Sequence, residues 1–167
     1  LDEWIRTADA VYTRSLAVKE LVQRWIAQPP ELRLPEHLQD DMTFFQISAG
    51  QAGLNVYQVQ DDLEVIHRLG LPAIMELGAG ELAGPTYLVL SKIEGDRYLV
   101  SVPGEEQGVA CDEETLLRLW TGRAYVLWKN FFAIHGVIPG RAAGESVITL
   151  KLLLRDLGYD TVDLSPA

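Results

Sequence analysis

Residues 86–102 of the chain read TYLVLSKIEGDRYLVSV. Both ends of this stretch are rich in the aromatic and β-branched residues that favour strands, and Glu94-Gly95-Asp96 between them is typical of a tight turn. It therefore predicts two antiparallel strands, at residues 86–90 and 98–102. The same character recurs at residues 73–77, 107–111 and 123–128. We expect a sheet of consecutive antiparallel strands over this part of the chain.

Helical spacing dominates the chain before this sheet. Apolar residues three and four apart predict a long helix over residues 4–25, which the proline pair at 29–30 stops, and a second helix over residues 42–51. A short strand at residues 54–59 follows. Helices first and strands afterwards indicate an α+β fold in which N-terminal helices pack on an antiparallel sheet.

Two shorter helices have recognisable ends. A third helix ends at Arg68, with Asp61 or Asp62 as its N-cap and Gly70 as its closing residue. Asp112 offers an N-cap for a further helix, which runs through Trp120 and which we expect Thr121-Gly122 to end.

Charge and cysteine content exclude several classes of partner and site. The chain has 167 residues, with 14 basic against 24 acidic side chains and a net charge of −10, so nucleic acid and anionic membrane surfaces are poor partners. Its one cysteine, Cys111, excludes an internal disulfide and a cysteine-cluster zinc site. No apolar run approaches the ~20 residues that cross a bilayer, and we expect no leader peptide at the start. These features are typical of a soluble, globular chain.

No arrangement of reactive side chains predicts an active site. Cys111 precedes a helix N-terminus, which favours a thiolate, but the three acidic residues after it oppose one. The three histidines are too scattered to predict a metal site, and His37 with Asp41 would supply only two ligands. The glycine-rich residues 77–84 lead into another strand, whereas a phosphate-binding loop needs a helix there. We therefore expect no cofactor and no metal.

Three large aromatic residues are candidates for binding. Tyr57, Trp120 and Trp128 could line a groove, although aromatic side chains at strand and helix positions are more often part of a core. The sequence leaves both alternatives open.

The end of the chain differs in kind. The composition of residues 139–144 predicts a flexible break, and residues 145–157 predict an amphipathic helix with Val147, Leu150, Leu154 and Leu157 on one stripe. A lone helix cannot bury its own apolar stripe. It must dock on the main body, pair with a second molecule, or belong to a module that continues beyond Ala167.

The order of these elements resembles the C39 peptidase family, which has a papain-like fold. The resemblance rests on RW at 24–25, ELR at 31–33, FFQISAGQAGL at 44–54, LPAI at 71–74, TYLVL at 86–90, YLVSVP at 98–103 and LWTG at 119–122. In that family a cysteine opens the first helix, a histidine starts the strand that corresponds to residues 86–90, and an aspartate precedes the proline that corresponds to Pro103.

Other residues stand at all three of these positions. Thr13, or a neighbour between Tyr12 and Ser15, takes the place of the cysteine, Thr86 that of the histidine and Val102 that of the aspartate. A threonine hydroxyl does not attack without a base, Thr86 cannot accept its proton, and Val102 cannot orient an imidazole. The resemblance therefore implies a degenerate peptidase-like domain that is not an enzyme.

The carboxyl end is similar to the periplasmic region of the general secretion pathway A proteins. This similarity rests on LWTG at 119–122, VLWK at 126–129, IPG at 138–140 and GESVITL at 144–150. In that family an ATPase domain and one membrane helix, both outside this chain, precede a C39-like domain, and a peptidoglycan-binding module follows. The resemblance thus implies a periplasmic fragment of a protein anchored in the inner membrane.

The same resemblance implies a division of the chain. It predicts a C39-like domain over residues 1–135, a linker over 136–144 and the first helix of a truncated peptidoglycan-binding module over 145–167. The residues of that helix that match the module are Val147, Leu150, Leu154 and Tyr159.

Three functions follow as hypotheses. The first is a non-catalytic interaction domain of the type II (general) secretion pathway, which helps secretin assembly and cell-wall positioning. For this function the resemblance implies a B-type secretion protein and peptidoglycan as partners, and a second copy of the chain is a further candidate. The second is a cysteine peptidase or hydrolase with a non-standard site, such as Cys111 with His135 or His67. The third is a docking domain for export substrates.

Overall fold

The computed structural model describes residues 9–78, 84–102, 108–131 and 144–156. The chain divides into two compact units, Leu1–Lys129 and Asn130–Ala167. The predicted linker at residues 136–144 lies almost wholly outside the described residues, so its boundaries stay a prediction.

The described part of the larger unit contains four helices. They are α1 (Ala10–Trp25), α2 (Asp41–Gly50), α3 (Leu63–Leu69) and α4 (Glu113–Leu119). Each helix follows an aspartate whose carboxylate accepts a backbone N–H of the first turn, and these caps are Asp9, Asp40, Asp62 and Asp112. Such a cap satisfies a donor that has no partner within the helix. The predictions of an aspartate cap before α3, a cap at Asp112 and a left-handed Gly70 after α3 are confirmed.

Six strands form one sheet. They are β1 (Asn55–Gln60), β2 (Ala73–Leu77), β3 (Thr86–Glu94), β4 (Arg97–Ser101), β5 (Val109–Asp112) and β6 (Trp120–Trp128), and their order in the sheet is β1-β6-β2-β3-β4-β5. All neighbouring strands are antiparallel. The predicted run of consecutive strands is confirmed for β2 to β5. β6 then returns to pair between β1 and β2.

The start of β6 corrects one prediction. The sequence predicts that Thr121-Gly122 ends a helix through Trp120, but α4 ends at Leu119 and β6 begins at Trp120. Gly122 lies inside the strand with φ +89°, and its carbonyl accepts the N–H of Asp61 at 2.7 Å. A glycine with positive φ serves equally at a helix end and at a bend in a strand, so the local sequence does not distinguish the two.

The sheet carries helices on both faces. α1 and α2 cover one face, where the Phe45 ring lies 6.0 Å from that of Tyr87 and 4.5 Å from that of Tyr125, centre to centre. α3 and α4 insert their apolar side chains, among them Ile66 and Leu116, into a second core on the other face. The α+β class, with helices packed on an antiparallel sheet, is confirmed.

The described part of the smaller unit contains one helix, α5 (Gly144–Asp156), close to the predicted range. Val147, Leu150 and Leu154 are half-buried, whereas Ile148 and Leu152 are exposed. Tyr159 lies outside the described residues, so the assignment of α5 to a peptidoglycan-binding module stays a prediction. Among the residues that the structure describes, no helix is both long enough and apolar enough to cross a membrane.

Candidate functional site

A cleft of about 470 Å³ opens at the start of α1, where the C39 resemblance implies the catalytic cysteine. We call it the α1 cleft. Its lining includes Val11 and Arg14 of α1, Asp41 of α2, Tyr87 of β3 and Arg123 of β6. A C39 peptidase would need a thiol and an imidazole here. Among the described residues, the lining has no thiol. Beside the Tyr87 phenol, the Asp41 carboxylate and the two guanidinium groups, it includes the His37 imidazole and the Glu36 carboxylate.

Thr13, at the position implied for the cysteine, has its hydroxyl group held by backbone atoms. The hydroxyl donates to the carbonyl of Asp9 at 2.9 Å or to that of Ala10 at 3.2 Å. It accepts the backbone N–H of Tyr87 at 3.2 Å. Thr13 is buried and joins the first turn of α1 to β3. The structure therefore brings Thr13 beside the strand position that follows Thr86. Ser15, the serine within the implied range 12–15, is also buried, and its hydroxyl donates to Glu36 Oε1 at 3.4 Å.

The other two positions implied for the triad are also buried. Thr86 is 0% exposed and Val102 is 5% exposed. Val102 packs in the α3–α4 core with Leu88, and side-chain alternation along β3 places Thr86 on that same face. Thr13, by contrast, reaches β3 from α1, on the opposite side of the sheet. The three side chains thus serve packing and backbone hydrogen bonding.

A buried ion pair forms one wall of the α1 cleft. The Arg14 guanidinium donates to Asp41 Oδ1 and to the carbonyl of Leu38, each at 2.8 Å, and lies 4.0 Å from the centre of the Phe44 ring. Tyr87 donates its hydroxyl hydrogen to Asp41 Oδ2 at 2.7 Å. Burial and this hydrogen bond raise the pKa of Tyr87, so the phenol remains a donor. Both oxygens of Asp41 therefore already have partners within the fold.

A second pair, Glu76 with Arg123, lies beneath the cleft. Arg123 donates to Glu76 Oε1 at 2.6 Å, and the Thr121 hydroxyl donates to the same oxygen at 3.0 Å. The Glu76 side chain is buried, whereas that of Arg123 is about half exposed. Burial raises the pKa of Glu76, and the nearby Arg123 charge only partly offsets it. The buried Glu76 carboxyl group thus positions the Arg123 guanidinium at the cleft.

The alternative cysteine site contains Cys111 and His67, and both residues contact Tyr98. The Cys111 thiol lies 3.7 Å from the backbone carbonyl of Tyr98, whereas the His67 Nε2 bonds to the Tyr98 hydroxyl. Burial, with the Asp112 charge beside it, raises the pKa of Cys111. This environment opposes a reactive thiolate. His135, the other candidate base, lies outside the described residues.

Of the three candidate aromatic side chains, the structure brings Tyr57 and Trp128 together and places Trp120 elsewhere. Tyr57 is 53% exposed and Trp128 is 38% exposed. The β1–β6 register pairs Tyr57 with Val126 and Asn55 with Trp128, so Tyr57 and Trp128 are diagonal neighbours on one face. Trp120 lies at the other end of β6, half-buried against the α3–α4 core, and donates its indole N–H to the carbonyl of Arg123 at 2.7 Å.

Sequence reasoning missed Arg14, Glu76 and Arg123 as residues of this region. In the sequence, Asp40 and Asp41 are adjacent, and adjacent residues on a helix point in different directions, so the doublet alone predicts solvated cap residues. Asp40 is indeed the cap, but Asp41 pairs with Arg14, which lies 27 residues earlier in the chain. The one available signal was Glu76, a charged residue in the middle of an otherwise apolar strand. Within the described ranges, no three residues with metal-binding side chains come close enough to hold an ion.

Comparison of sequences identifies no relative: no protein-family model matches the chain, and no curated protein matches it.

Comparison of structures finds several similar domains. The N-terminal peptidase C39-like domain of the toxin secretion ATP-binding protein from Vibrio parahaemolyticus has a TM-score of 0.53 and 20% identity, over 74% of this chain and 100% of that one. A double-glycine-motif protease from an AMS/PCAT transporter, solved with the leader peptide, has a TM-score of 0.53 and 15% identity, over 74% of this chain and 88% of that one. A periplasmic domain of the EpsAB fusion protein of the Vibrio vulnificus type II secretion system has a TM-score of 0.48 and 17% identity, over 76% of this chain and 49% of that one. The chain has the fold of the C39-like peptidase domains.

Proposed function

We propose that this chain is a non-catalytic binding domain from the periplasmic region of a general secretion pathway A protein. In this role it binds a B-type secretion protein and so helps secretin assembly, while the module that begins with α5 positions the machinery at the cell wall. The peptidase fold and the sequence similarity at residues 119–150 support this assignment.

The single observation that carries the proposal is the environment of Thr13. A nucleophile needs a free lone pair that faces the substrate and a base that removes its proton. The Thr13 hydroxyl instead bonds to the backbone of α1 and β3. Thr13 therefore has a structural role, which is to hold α1 against the sheet. This role explains the threonine at this position, and no catalytic role is needed.

The charges of the α1 cleft also favour binding over hydrolysis. The hydrogen bonds of Asp41 go to Arg14 and Tyr87 and not to His37, the imidazole that also lines the cleft. Arg123, half-exposed and held by Glu76, has donors that suit a carboxylate or a peptide carbonyl of a partner.

Direct binding measurements test the proposal. The complete chain is immobilised, and the periplasmic region of a B-type secretion protein is passed over it by biolayer interferometry. We expect saturable binding, and an equal amount of chain denatured before immobilisation serves as the control. Failure of the folded chain to bind more than the denatured chain would overturn the proposed partner.

A peptide arm of the same experiment separates the remaining alternative. The α1 cleft opens at the position that the C39 resemblance implies for the catalytic cysteine, and one structurally similar protease was solved in complex with the leader peptide. Binding of a double-glycine leader peptide, without binding of the B-type protein, would favour an export-substrate docking domain. Cleavage of that peptide, lost in Cys111→Ser, would favour a peptidase.

A further inference from the structure

We propose that β1 is a docking edge that accepts an extended peptide segment, which carries basic residues at its amino end and is otherwise uncharged. β1 lies at one end of the sheet and pairs with β6 on its inner side only. Alternate residues of an edge strand direct their N–H and C=O groups away from the sheet, where another strand can pair with them. This inference rests on the proposed binding role and names the surface at which the binding takes place.

The composition of β1 leaves its edge unprotected. Proteins usually guard sheet edges with charged residues, proline, bulges or very short strands. β1 reads NVYQVQ, with no charge and no proline, and its six residues pair with β6 in unbroken register. Among the described residues, no backbone hydrogen bond to residues 55–60 comes from outside the β1–β6 ladder.

The opposite edge of the sheet is guarded. β5 has four residues, and its last, Asp112, carries a charge and caps α4. The two edges therefore differ in the features that decide whether a strand can be added. β1 is therefore the edge at which a further strand can pair.

Side chains beside β1 indicate the chemistry of the occupant. Tyr57, at the middle of the strand, and Trp128, its diagonal neighbour on β6, present an exposed aromatic surface to the side chains of an added strand. At the carboxyl end of β1, Asp61 and Asp62 are exposed, and their charges favour basic residues. In an antiparallel addition, the amino end of the peptide lies beside these two carboxylates.

The test uses the complete chain and the synthetic peptide acetyl-Lys-Lys-Thr-Val-Thr-Val-Thr-amide. We expect saturable binding, with slower hydrogen–deuterium exchange at residues 55–60 and unchanged exchange at residues 109–112. The same peptide methylated on alternate backbone nitrogens cannot form the ladder and should not bind. Binding of both peptides with equal affinity would overturn the proposal.

Variants at the two edges provide matched controls. Tyr57→Lys places a charge on the edge and should weaken binding at least about ten-fold, whereas Val109→Lys, at an exposed position of β5, should leave it unchanged. Asp61→Asn removes one charge, retains a residue that tolerates the positive φ of this position, and should weaken binding about two- to five-fold. If Tyr57→Lys does not fold, Gln60→Lys, which is also exposed, replaces it.

Three further outcomes decide between this inference and others. Self-association of the chain that Tyr57→Lys abolishes, without peptide binding, would overturn the peptide proposal and favour pairing of two copies. Binding of the B-type protein that Tyr57→Lys leaves intact, with no peptide binding, would overturn the β1 inference alone. Failure of the wild-type chain to bind the B-type protein, with peptide binding intact, would overturn only the proposed partner.

Discussion

Thr13 joins the first turn of α1 to β3 through its hydroxyl group. Its hydroxyl accepts the N–H of Tyr87, a residue that is 2% exposed. Thr13→Val keeps the shape but leaves this donor without a partner, so we expect it to lower the free energy of unfolding by about 1–3 kcal/mol. Urea denaturation measures the change.

Thr13→Ser is the matched control, because it retains the hydroxyl and should cost less than Thr13→Val. Equal stability of the wild-type protein and Thr13→Val would contradict a structural role for this side chain.

Glu76 makes stability depend on pH. Burial raises its pKa in the folded state above the ordinary value, so folding favours the protonated form. The contribution of this carboxyl to stability is therefore present below its unfolded pKa and is lost as the pH rises through its folded pKa. Glu76→Gln cannot titrate. We expect the free energy of unfolding of the wild type, minus that of Glu76→Gln, to fall as the pH is raised from below to above 4.5, the ordinary pKa of a glutamate.

Urea denaturation of both proteins across this range measures that difference. Glu94→Gln is the control, since Glu94 is exposed and its pKa is lowered by Lys92. A difference that rises with pH for Glu76→Gln would show that the Arg123 charge outweighs burial.

Individual residues differ in how well the sequence predicts their roles. The caps at Asp62 and Asp112 were predictable because a cap bonds to an N–H three residues on, within the same short segment. The pairs Arg14–Asp41 and Glu76–Arg123 join residues 27 and 47 apart in the chain. Their formation depends on how α1, α2, β2 and β6 pack, which no local pattern encodes.

At the scale of elements, Gly122 sets the path of β6. Its φ is +89°, and a Cβ there would lie 1.9 Å from Asp61 Oδ1. Gly122→Ala therefore strains the backbone and displaces the Asp61 carboxylate. Gly95→Ala also has a positive φ, at 58°, but faces open space, so we expect it to cost only the backbone term of about 1–2 kcal/mol.

Thermal or urea unfolding of the two variants gives the comparison. We expect Gly122→Ala to be the less stable of the two. Equal destabilisation would mean that the approach of Asp61 to Gly122 does not constrain the end of β1 and the start of β6.

The sequence predicts the pairing of strands that are close together in the chain. It does not predict where β6 lies in the sheet. β2 and β3 pair through a short connection, so their strand patterns suffice to place them side by side. β6 pairs with β1, from which it is separated by four strands and two helices in the chain. The patterns of β1 and β6 predict two strands, but alternation alone does not say which strands become neighbours.

At the scale of the whole molecule, the fold followed from the order of helices and strands, whereas the site did not. The positions of Thr13, Thr86 and Val102 came from the family resemblance, and the structure adds what each side chain does. The charged lining of the α1 cleft came from the structure alone, because Arg14, Tyr87 and Arg123 meet only after the sheet has formed.

The proposed non-catalytic role requires that Cys111, the one cysteine in the sequence, is not an activated nucleophile. The most direct test is the rate of alkylation of Cys111 by iodoacetamide as a function of pH, in the folded chain and in the urea-denatured chain. Burial and the Asp112 charge raise the pKa of the thiol. We therefore predict that alkylation in the folded chain is slower and reaches its half-maximal rate at higher pH than in the denatured chain. If the half-maximal rate in the folded chain instead lies at lower pH than in the denatured chain, Cys111 is an activated thiolate and the proposed non-catalytic role is wrong.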